Sequence, residues 1–391
     1  MIPVTDRIRV LVVDDSAFMR KVVSDLLAAD PEIEVIGTAR DGLNALDRIR
    51  LEKPAVVTMD VEMPRMDGLT ALERIMAENP VPVVMVSSLT QEGAETTVRA
   101  LALGAVDFVG KPSGTISLDM ARVRDDLVTK VKLAARVNPA SLRRTAWHRN
   151  GPRGGWRSEP RGGRPAEPAV GQTEPAVGQT EPAAPIPPAD RLVVIGSSTG
   201  GPGALHAIFP ELTADSGVAY LVVQHMPAGF TRSLAERLDD LSPVRVREAA
   251  DGDVPAAGTA LLAPGGYHLT LTQERRVALN QGPPQHGVRP SVDVTLLSAV
   301  EVYGARCVGV ILTGMGFDGA KGMAALKRAG GRTIAQDEAS CVVYEMPRAV
   351  VEMGNADVVV PIEEVAAAIK AAAGRIPPVI RQEGGQRAIG G

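Results

Sequence analysis

The chain has 391 residues, more than one ordinary hydrophobic core covers, so two domains with connecting material are expected. Hydrophobic residues make up 45% of the sequence but aromatic residues only 3%, which predicts aliphatic cores. The net charge of −4, from 42 basic and 46 acidic residues, gives no electrostatic reason to expect a nucleic-acid partner.

No export or membrane signal is evident at the start of the chain. Residues 1–13 contain three charged side chains and lead directly into Asp14 and Asp15, whereas a membrane span needs about 20 apolar residues. The two cysteines, Cys307 and Cys341, cannot form a disulfide framework and are expected to be reduced and packed. The sequence therefore predicts a soluble, cytoplasmic protein without membrane insertion.

The first part of the chain, residues 6–125, alternates strand-like and helix-like patterns. Runs rich in Val and Ile are each followed by apolar residues at helical spacing, and these runs lie at residues 8–13, 35–37, 55–59 and 83–86. Near-continuous apolar strands between helices are typical of a parallel sheet with helices on both faces. We predict a doubly wound α/β domain here.

The character of the chain changes over residues 137–189. Ten of the 30 prolines fall in this segment, and EPAVGQT occurs twice in succession, at residues 167–173 and 174–180. Such a composition cannot bury enough apolar surface to offset its chain entropy, so we predict a disordered linker rich in Pro and Gly. A Pro-rich docking ligand is the alternative interpretation. A flexible tail is predicted for residues 376–391.

The second folded part, residues 190–373, repeats the strand and helix alternation. Its strand-like runs lie at residues 192–195, 219–223, 308–312 and 332–335. The predicted fold class is therefore α/β, with two doubly wound parallel-sheet domains joined by a linker.

Polar side chains gather at one edge of the predicted first sheet. Asp14 and Asp15 end the first strand, Asp60 ends the strand at residues 56–59, and Ser87 ends the next. Ligands of parallel α/β sheets bind beyond the carboxyl ends of the strands. Crowded carboxylates raise one another's pKa unless a cation is present, and Mg²⁺ is the usual small cation with oxygen ligands. Lys111, which follows another apolar run, is placed to hold a phosphoryl oxygen.

This set of residues resembles the response-regulator receiver family over residues 10–112. The resemblance implies a flavodoxin-like fold with Asp60 as the phosphoacceptor. It also implies that the Mg²⁺ ligands are Asp14, Asp15 and Asp60, and that the switch and phosphate-sensing residues are Ser87, Phe108 and Lys111.

A serine-containing turn follows the first strand of the second domain. Residues 196–200 spell G-x-S-x-G with Ser198 at the centre, before a helical stretch. A dinucleotide fingerprint would need glycine at Ser198, and a P-loop would need a lysine, so a nucleophile turn fits best. Taken alone, Ser and Gly are ordinary loop residues. The adjoining helix N-terminus offers N–H groups for a developing oxyanion, which makes Thr199 a candidate donor.

A base and a carboxylate are expected at the same sheet edge. His225 follows the strand at residues 221–223, and Asp318 lies in a glycine-rich loop after the strand at residues 308–312. Each residue by itself also fits a simpler interpretation, a locally packed loop histidine or an Asx-turn aspartate. The glycine-rich loop leaves backbone N–H groups, notably near Met315, as further oxyanion donors.

Six motifs carry a second resemblance, over residues 190–371: IGSSTGGPGAL, QHMP, APGGYHL, VRPSVDV, LTGMGFDG and AQDEASCVVYEMPRA. They resemble the catalytic domain of chemotaxis protein-glutamate methylesterases, also described as protein-glutamine glutaminases (the CheB family). The resemblance implies a Rossmann-like α/β esterase domain with a triad at Ser198, His225 and Asp318. One departure is Glu345, which stands where the family pattern leads us to expect glycine.

The two resemblances together imply a phosphorylation-regulated esterase that removes methyl groups from glutamate γ-methyl esters of methyl-accepting chemotaxis receptors and deamidates receptor glutamines. A chemotaxis histidine kinase would be the phosphodonor, and the unphosphorylated receiver would obstruct the active site. Mg²⁺ would serve receiver phosphorylation, and ester hydrolysis would need no cofactor. The alternative from another class is a catalytically inactive adaptor for receptor arrays. A DNA-binding output domain is disfavoured because no basic stripe follows the receiver.

Overall fold

The computed structural model of the chain describes residues 7–88, 90–111, 117–137, 187–214 and 217–374. The predicted fold class is confirmed, since these residues form two α/β domains, each built on a parallel sheet. The predicted tail and nearly all of the predicted linker lie outside the described residues. Within the described part of the chain, no helix combines the length and apolarity that crossing a bilayer requires.

The first domain alternates strands and helices throughout. Its elements are β1 (Ile8–Val13), α1 (Ala17–Ala28), β2 (Ile33–Ala39), α2 (Gly42–Glu52), β3 (Val56–Asp60), α3 (Gly68–Glu78), β4 (Val83–Ser87), α4 (Gln91–Ala102), β5 (Asp107–Gly110) and α5 (Ser117–Ala134). Four of the helices begin at a side-chain cap that accepts a backbone N–H bond: Ser16, Asp41, Asp67 and Thr90. The sheet order is β2-β1-β3-β4-β5. The strand order therefore reverses at β1, which opens a crevice beyond the carboxyl ends of β1 and β3.

The predicted end of the first domain, at residue 125, falls inside α5. The helix continues to Ala134 because Leu127, Val131 and Ala134 recur on one face and are buried against the sheet. Val137, at the predicted start of the linker, is also buried, with 5% of its surface exposed. The packed part of this domain thus reaches the last described residue before the linker.

The second domain has nine strands and six α-helices among its described residues. They are β6 (Arg191–Ser197), α6 (Gly201–Ile208), β7 (Val218–Gln224), α7 (Phe230–Leu241), β8 (Arg245–Glu248), β9 (Thr259–Leu262), β10 (His268–Leu271), β11 (Val277–Asn280), α8 (Val292–Tyr303), β12 (Cys307–Ile311), α9 (Ala320–Arg328), β13 (Arg332–Gln336), α10 (Met346–Glu352), β14 (Val358–Val360) and α11 (Ile362–Gly374). Seven strands form a parallel sheet in the order β14-β13-β12-β6-β7-β9-β8, and β10 and β11 form an antiparallel pair.

The four strands predicted from the sequence are four of the five inner strands of this sheet, β6, β7, β12 and β13. β6 lies between β12 and β7, so the carboxyl ends of these three strands meet at one place. The loops that follow them carry the serine turn, the QHMP segment and the glycine-rich LTGMGFDG segment. The second candidate site is therefore expected where the carboxyl ends of β12, β6 and β7 meet. Both cysteines are free and buried, and burial raises the pKa of the Cys307 thiol to about 12.

Candidate active site and receiver crevice

Ser198 lies in a sharp turn between β6 and α6. Its backbone N–H donates to the carbonyl of Thr313 (3.1 Å), and its own carbonyl accepts from Gly201 N–H (2.8 Å). Gly200 has a φ of +77°, and a Cβ there would lie 2.5 Å from the side chain of Val342. Glycine is therefore needed for the turn to close, as the G-x-S-x-G spelling predicts.

Gln224 ties the serine turn to the histidine segment. Its amide nitrogen donates to the carbonyls of Ser198 (2.9 Å) and His225 (3.2 Å), and its amide oxygen accepts from the Ser197 hydroxyl (2.7 Å). Only 2% of its surface is exposed. The sequence interpretation missed this residue, although a polar side chain that ends an apolar strand directly before a candidate base is a usable signal.

His225 and Asp318 form a hydrogen-bonded pair. Nε2 of His225 lies 2.8 Å from Oδ2 of Asp318, and both side chains are nearly buried. Because Nε2 is engaged, Nδ1 is the ring nitrogen that remains for another partner. The two residues are 93 positions apart in the chain, so only the strand order brings them together.

The carboxylate of Asp318 lies against the N-terminus of α8, a helix distant in sequence, and the sequence interpretation did not foresee this contact. Oδ1 accepts from the Ser291 hydroxyl (2.8 Å) and from Asp293 N–H (3.0 Å), while Oδ2 also accepts from Val292 N–H (2.7 Å). Burial alone would raise the pKa of Asp318, but the hydrogen bond and charge of His225 and these N–H groups lower it below its ordinary value. The carboxylate is therefore held in its charged form.

The two predicted oxyanion residues flank Ser198. Met315 follows Gly314, whose backbone packs on Ser198: a Cβ at Gly314 would lie 2.8 Å from the Ser198 Cβ. Thr199 directly follows Ser198, and its carbonyl accepts from the Thr313 hydroxyl (2.9 Å). The Thr199 hydroxyl donates to Oδ2 of Asp107 in the first domain (2.6 Å).

The first domain packs over the mouth of this site. Ser198, Thr199 and His225 line a small cavity whose other wall includes Asp107 and Phe108 of β5. The Phe108 ring stacks on Phe230, at the start of α7, with ring centroids 4.4 Å apart. Helix α4 also contacts α6 and α7. The residues of β5 thus cover the side chains that the sequence predicts to be catalytic.

Lys130 of α5 braces this contact from the receiver side. Its ammonium donates to the Phe108 carbonyl (2.6 Å), lies 5.2 Å from the centroid of the Phe108 ring, and is 3.4 Å from Oδ1 of Asp107. Burial lowers the pKa of Lys130, but the charges of Asp107 and Asp126 outweigh burial and the net shift is upward. The lysine is therefore charged and holds both β5 residues that face the second domain.

The crevice of the first domain brings the predicted carboxylates together. Oxygen atoms of Asp14, Asp15 and Asp60 lie within 4.8 Å of one another. Lys111 Nζ is 2.7 Å from Oδ2 of Asp60 and 3.2 Å from Oδ2 of Asp14. The Ser87 hydroxyl, at the end of β4, has the carbonyls of Ser88 (3.2 Å) and Gly93 (3.3 Å) within reach as acceptors of its one proton.

The electrostatics of this crevice fit a bound cation. Burial raises the pKa of Asp60 to about 6, and the charge of Asp14 adds to the rise although Lys111 opposes it. Oδ2 of Asp14 is buried and accepts no well-aligned hydrogen bond. A hard divalent cation with oxygen ligands would relieve the crowding of negative charge and give this Asp14 oxygen a partner besides the Lys111 ammonium. Asp14, Asp15 and Asp60 are therefore a suitable ligand set for Mg²⁺.

His286, Asp293 and Asp318 form another compact group of possible metal ligands. Their atoms are already engaged: His286 Nε2 pairs with Asp293 Oδ2 (3.1 Å), Asp293 Oδ1 accepts from Gly322 N–H (2.7 Å), and both Asp318 oxygens accept the bonds described above. This group is therefore better understood as a polar support for Asp318 than as a cation site.

Known families match both domains. A family model described as CheB methylesterase matches residues 193–369, and one described as response regulator receiver domain matches residues 10–121. A protein-glutamate methylesterase/protein-glutamine glutaminase of Symbiobacterium thermophilum is 58% identical over 367 residues, which cover 94% of this chain and 97% of the relative. A protein of the same name from Pyrococcus abyssi is 45% identical over 369 residues, 93% of each chain.

Solved structures of single domains are also similar to parts of the chain. The CheB methylesterase catalytic domain of Thermotoga maritima is 46% identical, with a TM-score of 0.45, and covers 46% of this chain and 97% of its own. The response regulator domain of Thermotoga maritima CheB is 51% identical, with a TM-score of 0.32, and covers 34% of this chain and 99% of its own.

Proposed function

This chain belongs to the family of protein-glutamate methylesterases/protein-glutamine glutaminases, and from that premise we propose how its two sites work together. The second domain hydrolyses glutamate γ-methyl esters on methyl-accepting chemotaxis receptors and deamidates receptor glutamines. The first domain controls this activity by phosphorylation from a chemotaxis histidine kinase. The observation that carries the proposal is the bond between His225 and Asp318 beside Ser198, at the meeting point of β12, β6 and β7.

Ser198 is the nucleophile of the proposed mechanism. Nδ1 of His225, the ring nitrogen not bonded to Asp318, takes the proton of the Ser198 hydroxyl as its oxygen attacks the ester carbon. The imidazolium that forms is stabilised by the charged Asp318. It then protonates the departing methoxide, and methanol leaves an acyl-enzyme.

Water completes the reaction by the reverse sequence of proton transfers. Nδ1 of His225 takes a proton from water, the resulting hydroxide attacks the acyl carbon, and the Ser198 oxygen leaves with that proton. The products are a glutamate side chain and free enzyme, and no cofactor enters the chemical step. For a glutamine substrate the first leaving group is ammonia. The backbone N–H groups of Met315 and Thr199 stabilise the oxyanion in both steps.

Asp60 is the phosphoacceptor in the proposed control. Mg²⁺ held by Asp14, Asp15 and Asp60 would neutralise charge during phosphoryl transfer. The charged Lys111, 2.7 Å from Asp60, is placed to bind a phosphoryl oxygen. Ser87 and Phe108 link the crevice to the interface, since Ser87 ends β4 and Phe108 in neighbouring β5 stacks on Phe230.

The unphosphorylated receiver restrains the esterase in this proposal. Support comes from the hydrogen bond between Asp107 and Thr199 and from the position of Phe108 in the wall of the Ser198 cavity. A protein substrate could not reach Ser198 past these residues. Phosphorylation must therefore loosen the β5 contact before a receptor side chain can enter.

The test of the function is methanol release from radiolabelled methylated receptor by the full-length chain. With Mg²⁺ and a small-molecule phosphodonor, release should rise several-fold over the rate without phosphodonor, and EDTA should remove the increase. Asp60→Ala should keep the basal rate and lose the response. Methanol release at the same rate with and without phosphodonor would support the esterase activity and contradict its control by the receiver. No release from any methylated receptor would favour the alternative of an inactive adaptor.

Breaking the contact between the domains should raise the basal rate. Asp107→Ala removes the acceptor of the Thr199 hydroxyl and one partner of Lys130, a loss of about 1–2 kcal/mol from the closed arrangement. We expect methanol release without phosphodonor to rise about five- to thirtyfold. Asp125→Ala is the matched control, because Asp125 is exposed on α5 and pairs only with its neighbour Arg124 among its described contacts. An unchanged basal rate in Asp107→Ala would contradict restraint through this contact.

A further inference from the structure

Glu345 makes a directed contact in the candidate active site, although the family pattern leads us to expect glycine at this position. Its Oε2 accepts a 2.8 Å hydrogen bond from the backbone N–H of Gly316. We propose that Glu345 is a positioning residue for the oxyanion hole, because it fixes the loop that presents the Met315 N–H beside Ser198. This inference rests on the proposed function and concerns the same site.

The peptide group on the N-terminal side of Met315 is held by the backbone around Glu345. The carbonyl of Gly314 accepts from the N–H groups of Met346 (3.0 Å) and Glu345 (3.3 Å). In a planar trans peptide the N–H points away from the C=O, so fixing the Gly314 oxygen fixes the direction of the Met315 N–H. Gly314 packs directly on Ser198, where a Cβ would lie 3.1 Å from the serine nitrogen. The donor therefore lies beside the nucleophile.

The peptide group on the other side of Met315 is held by the Glu345 side chain. This peptide carries the Gly316 N–H that Oε2 accepts. Gly316 has a φ of +85°, and a Cβ there would meet no atom within 4 Å, so side-chain packing does not restrain it. Met315 and Phe317 are 41% and 57% exposed. Besides the edge contact between the rings of Phe317 and His286 (centroids 4.5 Å apart), hydrogen bonds orient the loop, and the bond that Glu345 accepts from Gly316 is one of them.

Glu345 is itself mounted on a rigid support. It directly precedes α10, whose residues Met346 and Val350 are both 0% exposed. An oxyanion donor is effective when its orientation is fixed before negative charge develops, since no reorganisation is then needed in the transition state. Glycine at position 345 could supply the backbone bond to Gly314 but no bond to Gly316. The carboxylate acceptor adds a charge-assisted bond, which is stronger than a neutral one.

The experiment compares Glu345→Ala, Glu345→Gln and the control Glu352→Ala in the full-length chain with Mg²⁺ and phosphodonor. Glu352 is on the same helix, but its side chain is 71% exposed and forms an ion pair with Arg348, not with the loop. For methylated receptor, Glu345→Ala should lower kcat about tenfold or more and change KM less than twofold. Glu345→Gln keeps an acceptor oxygen and should restore most of kcat, and Glu352→Ala should match the parent chain.

A second measurement keeps the inference testable if the alanine variant is unstable. Hydrogen–deuterium exchange should become faster in the peptide that contains residues 313–318 of Glu345→Ala, and less so in Glu345→Gln. Equal kcat in the parent chain and Glu345→Ala would overturn the proposal. Equal losses in Glu345→Ala and Glu345→Gln would overturn it as well, since the effect would then come from charge and not from the acceptor. A parent chain without methanol release would instead reject the proposed function.

Discussion

Ser198→Ala will lower phosphodonor-stimulated methanol release by at least about 10⁴-fold, because only the hydroxyl at this position can form the acyl-enzyme. The substitution leaves no packing defect, since it removes one oxygen from a half-buried turn residue. The backbone hydrogen bonds of Ser198 with Thr313 and Gly201 are not disturbed. The melting temperature should therefore stay within a few degrees of the parent value. Receptor binding should also persist, so the loss will appear in kcat and not in KM.

Ser197→Ala is the matched control for this variant. Ser197 is the neighbouring serine, but it is 0% exposed and its hydroxyl donates to Gln224. Loss of that single bond costs about 1 kcal/mol, so the rate should stay within about tenfold of the parent. A Ser198→Ala variant that retains more than one hundredth of the parent rate would end the triad proposal. Comparable losses in both variants would indicate that the turn, and not the Ser198 hydroxyl, is essential.

Asp318→Asn is expected to have the second largest effect, a fall in kcat of about 10⁴-fold. The carboxylate accepts bonds from four donors, whereas an amide has only one oxygen to offer. Its NH₂ group would face the helix N–H groups or donate to Nε2 of His225. In the second case the imidazole proton moves to Nδ1, the nitrogen that must accept the Ser198 proton, so the base is lost.

Asp293→Asn provides the control for Asp318→Asn. Asp293 is a buried carboxylate next to Asp318, but its oxygens bond with His286 and Gly322 and not with His225. The hydrogen bond that its backbone N–H donates to Asp318 is unchanged by the substitution. We expect a rate within about tenfold of the parent for Asp293→Asn. Methanol release is measured for both variants together with their melting temperatures. An Asp318→Asn variant with more than a tenth of the parent rate would contradict the role assigned to Asp318.

The short strands β8, β9, β10, β11 and β14 were not predicted, and the reason is physical. Each has only three or four residues. β8 (RVRE), at one edge of the sheet, alternates charged and apolar side chains, and β14, at the other edge, is a run of three valines, two of them exposed. His268 belongs to β10 and is only 2% exposed. The longer inner strands are buried on both faces and carry a clear apolar signal, whereas the four residues of β9, which lies between β7 and β8, are too few to show one.

The hydrogen-bond partners of the polar residues that support the site could not be predicted from the sequence, although the position of Gln224 at the end of an apolar strand was a usable signal. Gln224, Ser291 and Glu345 each make a hydrogen bond to a group between 26 and 29 residues away. Nothing in local spacing identifies such partners, because a buried polar group is satisfied by whatever the tertiary packing brings near it. Glu345 was noticed only as a departure from a family pattern, and its contact with Gly316 gave that departure a physical meaning.

The sequence by itself determined the local features of this protein: which runs are strands, where each strand ends, and which reactive side chains follow those ends. These features depend on apolar periodicity and turn chemistry within a few residues. Only the tertiary structure decided that β6 lies between β12 and β7, that Nε2 of His225 faces Asp318, and that Asp107 bonds with Thr199. Strand order and domain contact depend on packing between residues about 90 positions apart, which no local pattern encodes.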